Sequence, residues 1–201
     1  MAIITFDCDE VLAELVKSML HRHDNTFMGI PLEWHEIADY YLENIPKIKE
    51  HNISFSDAKQ LFDTAILDHS AINPVLGMQD IVRALKRQWH ELYVVTARAD
   101  DLQEATVQWI QQHYPNMFSD IIMANHYNEN KRCKWDICSH IWSQLMIEDT
   151  IHNAEKVSAQ NVPVIMPEKP WNALYVATSP LIYKASDYKQ IEQILIEKGF
   201  L

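Results

Sequence analysis

A short apolar run ending in two acids one residue apart constrains this chain more than any other feature. Ala2-Ile3-Ile4-Thr5-Phe6 is apolar and β-branched, and Asp7-Cys8-Asp9-Glu10 follows it. Val11, Leu12, Leu15, Val16, Met19 and Leu20 then recur at helical spacing. The pattern predicts a buried strand, a turn and a helix. Residues two apart on an extended segment share a side, so Asp7 and Asp9 can face one point while Cys8 faces away. In an open α/β sheet, ligands bind at the carboxyl ends of the strands. Two carboxylates meeting there repel unless a cation or a shared proton separates them. A magnesium-dependent phosphoryl-transfer site satisfies that requirement; the alternative is that one acid merely caps the next helix.

The rest of the chain alternates. Ile81, Val82 and Leu85 line a helix, and Leu92-Tyr93-Val94-Val95-Thr96 is a strand. A helix through Trp109 stops near Pro115, Ile121-Ile122-Met123 is the next strand, and the polar loop 126–131 leads to a helix around residues 135–142. Leu145-Met146-Ile147 and Val162-Pro163-Val164-Ile165-Met166 are strands, the proline of the second pointing to an edge position. Leu181-Ile182-Tyr183 is a short last strand, and Ser186 or Asp187 caps a C-terminal helix ending at Gly199. Strands separated by helical patterns indicate βαβ units and a parallel sheet.

Residues 26–70 show no alternating pattern and read as a helical insert. Pro31 opens one helix, with Trp34, Ile37, Ala38, Tyr41 and Leu42 on a face, and Pro46 ends it. Ser56 caps a second. Trp109 and Trp142 fall at helical core spacing, while His21 and His23 read as solvated residues at a helix end.

Composition narrows the partners. The formal net charge is −11 and no basic stripe occurs, which argues against a nucleic-acid polymer or a membrane surface. The three cysteines form no CxxC pair, so a reducing compartment is expected; a zinc site from Cys133, Cys138 and His140 is the minor alternative. The first residues lack a basic-then-apolar leader, and no segment reaches the roughly 20 apolar residues of a membrane span, which places the protein in the cytoplasm. Oligomeric state is not readable.

Several strands end in residues able to do chemistry: Asp7 and Asp9, then Thr96, then Glu148-Asp149, with the basic cluster Lys131-Arg132-Cys133-Lys134 opening a helix between the last two. In a parallel sheet these ends converge. Phosphoryl transfer needs that inventory of nucleophile, second carboxyl, hydroxyl, ammonium and metal-binding acid.

Asp7-Cys8-Asp9-Glu10-Val11-Leu12, Val95-Thr96-Ala97-Arg98, Lys134-Trp135-Asp136-Ile137-Cys138 and Ile147-Glu148-Asp149-Thr150 resemble the four ordered motifs of the haloacid dehalogenase superfamily. They are most similar to its small 5'-nucleotidase branch, which includes the cytosolic deoxyribonucleotidases. Pro170-Trp171-Asn172 resembles a further segment of that branch. The resemblance implies an α/β fold, a Rossmann-like three-layer parallel sheet, with a small helical cap inserted after the first strand. The core is expected over 1–20 and 72–201 and the cap over 21–71. It also implies a Mg²⁺-dependent phosphatase acting on a small phosphorylated substrate, a nucleotide, through an aspartyl-phosphate. Asp7 would attack phosphorus, and Asp9 would act as general acid and then base. Thr96, the adjoining Ala97, and Lys134 would hold the phosphoryl oxygens, and Asp7, Asp149 and the carbonyl of Asp9 would bind Mg²⁺.

Glu10 stands where that pattern usually has Gly, Lys131 competes with Lys134, and either Glu148 or Asn153 could join the metal shell. Arg98 could meet a phosphate or base, or form an ion pair. Trp34, Tyr40 and Tyr41 could stack on a base or pack in the cap. A sugar phosphatase, a catalytically idle phosphate-binding protein of the same fold, and a phospho-accepting receiver domain are the other readings; a receiver lacks the long insert.

Overall fold

The computed structural model describes residues 1–126 and 129–201. β1 (Ile3–Phe6) leads through a turn to α1 (Leu15–Arg22). A hairpin of β2 (Thr26–Phe27) and β3 (Ile30–Pro31) follows, then α2 (Pro46–Lys49) and α3 (Phe55–Leu67). From α4 (Met78–Arg87) onward the order is β4 (Glu91–Thr96), α5 (Gln103–His113), β5 (Asp120–Met123), α6 (Lys134–His140), β6 (Leu145–Ile147), α7 (Ile151–Ser158), β7 (Val164–Pro167), β8 (Ile182–Ala185) and α8 (Tyr188–Glu197). Among the described residues the main sheet has six strands in the order β5-β4-β1-β6-β7-β8, all parallel. The order reverses at β1, so the carboxyl end of that strand opens onto a crevice between its two neighbours.

Helices cover both faces, which is why the strands read as continuous apolar runs. Ile4, Phe6, Leu92, Val94, Ile147 and Ile165 are buried in one core cluster. Two polar tips in that core fix the entry to the site. Trp109 donates its indole N–H to the Ile72 carbonyl at 2.9 Å, and the Tyr114 hydroxyl donates to the Leu12 carbonyl at 2.9 Å. These bonds tie α5 to both chain crossings between sheet and insert. Val75 N–H adds a third tie, again to the Leu12 carbonyl.

The insert has its own apolar cluster, in which Phe27, Ile30, Leu32, Ile37, Leu42, Ile45, Ile48 and Ala58 gather with Met19 and Leu20 of α1. Its local structure departs from the helical expectation. Pro31 lies in a two-residue strand, and Met28 and Gly29 make the tight turn with φ of 52° and 80°. Residues 34–44 form two 3₁₀ turns rather than a helix, because the Asp39 carboxylate takes the Tyr41 N–H at 2.8 Å and diverts the backbone. Pro46 begins α2 instead of ending a helix, its missing N–H being harmless at the first position. Ser54, not Ser56, caps α3, in a reciprocal box with Asp57.

Two further expectations are corrected. Trp142 is 81% exposed, because it is the left-handed residue (φ 59°) that follows α6. β7 is interior, with β8 at the edge; Pro163 precedes the strand and serves the ladder through its carbonyl, which accepts from Met146 N–H at 3.0 Å. Part of the predicted polar loop, residues 127 and 128, lies outside the described residues. No described helix is long and apolar enough to cross a membrane.

Candidate active site

The turn after β1 builds the floor of the site. Asp7 N–H still follows the sheet, donating to the Ile147 carbonyl at 2.9 Å, while Asp7 Oδ1 accepts the Cys8 N–H at 2.7 Å. Cys8 is fully buried on the opposite side, as a period of two requires. Its carbonyl then takes the N–H groups of Leu12 and Ala13 at 2.8 and 2.9 Å. That tight loop puts Glu10 at φ 57°, a left-handed conformation natural to Gly. Glu10 is held there by Oε1, which accepts the Val16 N–H at 2.7 Å; its Oε2 is buried with no hydrogen-bond partner among the described residues.

Lys134, at the start of α6, crosses to the same point. Its Nζ lies 2.7 Å from Asp7 Oδ2 and 2.8 Å from Glu148 Oε2, and the side chain is 2% exposed. Lys131 is exposed. Glu148 is occupied on its other side by the Thr150 N–H at 3.0 Å. Asp7, Glu148 and Asp149 each offer an oxygen within 4.8 Å of the others. Burial, then the charge of Glu148, pushes Asp7 well above the usual carboxylate range against the pull of Lys134. The same two causes push Asp149 up to about 8. Burial works against the Lys134 ammonium, yet Asp7 and Glu148 hold it above the ordinary lysine value. Half-buried His126 is pushed down to about 4 by burial and then by Lys131 and Lys134.

Asp9 is held by an arginine. Arg98 Nη2 and Nε donate to Asp9 Oδ1 and Oδ2 at 2.6 and 3.1 Å, a two-point contact with a nearly buried guanidinium. Arg98 Nη1 donates in turn to Thr106 Oγ1 at 3.0 Å. Arg98 therefore takes the ion-pair role, with Asp9 as its partner. Thr96 ends β4 one strand from Asp7, with Val94 registered opposite Phe6, and its Oγ1 accepts the Arg98 N–H at 3.3 Å.

The donor set fits a hard divalent cation. Of the three buried carboxylates, Asp7 and Glu148 share the Lys134 ammonium, Asp149 has no ion pair among the described residues, and all the donors are oxygens. Asn153, in the first turn of α7, has a buried Oδ1 with no hydrogen-bond partner among the described residues. Two donors hold Asp149: Trp171 Nε1 donates to its Oδ2 at 3.0 Å, and Asn172 Nδ2 to its carbonyl at 2.8 Å.

Above this floor opens a cleft. Asp7, Asp9, Glu10, Ala97, Arg98 and Asp149 form its polar end, and Tyr40, Tyr41, Phe55, Phe62 and Trp171 line its apolar walls. Tyr40 and Tyr41 thus face the cleft, whereas Trp34 packs on Trp171 with Lys17 over its ring at 5.1 Å. Sequence reasoning missed Phe55, Phe62 and both hydrogen-bonded supports of Asp149. The Pro170-Trp171-Asn172 segment was the signal available for the supports. Cys138 lies against Thr5 and Met146, and the cysteines form no metal cluster among the described residues.

The family model for "5' nucleotidase, deoxy (Pyrimidine), cytosolic type C protein" matches residues 1–199. No match is found among curated proteins. Among solved structures, a conserved haloacid dehalogenase-like protein of unknown function from Agrobacterium tumefaciens aligns with TM-score 0.64 at 15% identity, covering 99% of each chain. A predicted phosphoglycolate phosphatase from Haemophilus somnus aligns at 0.62 and 16%, covering 96% of this chain and 97% of that one. A Bacillus subtilis HAD hydrolase bound to magnesium aligns at 0.59 and 12%, covering 97% and 98%.

Proposed function

Because the chain belongs to the cytosolic type C 5'-nucleotidase family of haloacid dehalogenase-like phosphatases, we propose that it is a Mg²⁺-dependent 5'-nucleotidase working through an aspartyl-phosphate. The carrying observation is Lys134, buried between Asp7 and Glu148 beside Asp149 where β1 and β6 end. Residues 21–71 act as the cap over this site.

Asp7 attacks phosphorus and the ester oxygen leaves, taking a proton from Asp9. Water then attacks the phosphoryl group on Asp7, giving its proton to Asp9 and releasing phosphate. Thr96, the Ala97 backbone and Lys134 hold the equatorial oxygens, and Arg98 aims Asp9 at the cleft. Asp7, Asp149 and the Asp9 carbonyl would hold Mg²⁺, with Glu148 and Asn153 Oδ1 the candidates to complete its shell. When bound, the ion neutralises charge that develops on the phosphoryl oxygens. The ring-lined walls suit a nucleobase, which offers a flat apolar face.

Purified protein with Mg²⁺ should release phosphate from nucleoside 5'-monophosphates faster than from nucleoside 3'-monophosphates, sugar phosphates or phosphoglycolate. EDTA and Asp7→Asn should each abolish turnover. Release confined to the non-nucleotide esters would overturn the substrate class, and turnover that survives Asp7→Asn would overturn the mechanism.

A further inference from the structure

Trp171 joins two parts of the molecule that the chemistry has to keep in register. Its Nε1–H holds Asp149 Oδ2 at 3.0 Å, while its ring meets Trp34 edge-on at 5.6 Å between centroids and Tyr40 at 6.4 Å. Trp34 and Tyr40 belong to the insert; Asp149 belongs to the sheet. The loop carrying Trp171 is itself pinned. Lys184 Nζ donates to the carbonyls of Asn172, Ala173 and Tyr175 at 3.0, 2.8 and 3.2 Å. Asn172 is fully buried, bonded to both Asp149 and Pro167. With its backbone fixed, the indole can shift only by turning about its own side-chain bonds. The insert's rings bear on that rotamer, and the rotamer decides whether the N–H reaches Asp149.

We propose that Trp171 is a positioning residue through which the cap sets the divalent-metal affinity of the site. This rests on the reading of Asp149 as a metal ligand. Contact with Trp34 and Tyr40 holds the indole N–H on the carboxylate, and a cap that withdraws lets the carboxylate turn. Partners of this kind behind a metal ligand are worth roughly 10–100-fold in metal affinity. A ligand that closes the cap would therefore tighten the metal, and the metal would tighten that ligand by the same factor.

The test is Mn²⁺ binding to the intact, substrate-free protein, read by electron paramagnetic resonance, with thermal melts on the same samples. Asp149→Asn should abolish tight binding; unchanged affinity there would remove the ligand reading and the proposal with it. Trp171→Phe, which keeps a ring and loses the donor, should weaken Mn²⁺ about tenfold or more. Trp34→Ala touches no ligand yet should weaken it at least about threefold, Trp34→Phe should restore it, and the double variant Trp34→Ala/Trp171→Phe should be no weaker than Trp171→Phe alone. Should Trp34→Ala unfold, Tyr40→Leu supplies the same arm. With Asp149→Asn behaving as expected, wild-type affinity in the cap variants, or effects that multiply in the double, would overturn the proposal alone.

Discussion

Lys134 shows how one residue organises a site. A single ammonium faces Asp7 and Glu148 at hydrogen-bond distance, with neither partner more than a few per cent exposed. Removing one partner of a buried charge pair typically costs about 3–5 kcal/mol. Lys134→Met should therefore abolish turnover and lower urea-unfolding stability by about 3 kcal/mol at pH 8. The loss should shrink toward pH 5, because Asp7, already raised by burial, then takes up a proton. Asp7, Asp9, Thr96 and Asp149 were legible in the sequence because each sits at or just past the end of an apolar run. Lys134 was legible only with its helix start. The Asp9–Arg98 and Asp149–Trp171 contacts were not, since their partners lie 89 and 22 positions apart and no local pattern links them.

Among the elements, alternating βαβ units were readable because buried parallel strands and amphipathic helices carry distinct periods. The insert was not. Its strands are two residues long, its 3₁₀ turns three, and pieces so short leave no period to detect. Gly77 marks where the chain returns from the insert to the sheet. It has φ 80°, and a Cβ there would lie 2.3 Å from the Tyr188 ring of α8. Gly29 has the same φ with nothing within 4 Å. Chemical denaturation should thus show Gly29→Ala costing about 1 kcal/mol, from the left-handed backbone alone. Gly77→Ala should cost clearly more, about 2–3 kcal/mol, because the clash with the base of the Tyr188 side chain adds to that strain.

For the molecule as a whole, the buried acids govern how stability depends on pH. Asp149 rises from 3.8 to about 8 and Glu10 from 4.5 to about 7, both chiefly through burial, and Asp7 moves the same way. The metal-free fold therefore binds more protons than the unfolded chain between those limits, and stability falls as pH rises through them. His126, lowered from 6.5 to about 4, works in the opposite sense below its ordinary value. The window free of it runs from about pH 6.5 to 8. There the melting temperature of EDTA-treated protein should drop and then level off, and Mg²⁺ should raise it most at the alkaline end. A flat metal-free profile would contradict uncompensated buried carboxylates.

The central placement of β1 also bears on biogenesis. Ile3–Phe6 pairs with Glu91–Thr96 on one flank and Leu145–Ile147 on the other. A nascent chain leaving the ribosome must carry this sticky segment unpaired until some 90 further residues have been made, and open on its second flank until some 140 have. Holdase chaperones that recognise short aliphatic stretches would find a target in the very strand that leads into Asp7.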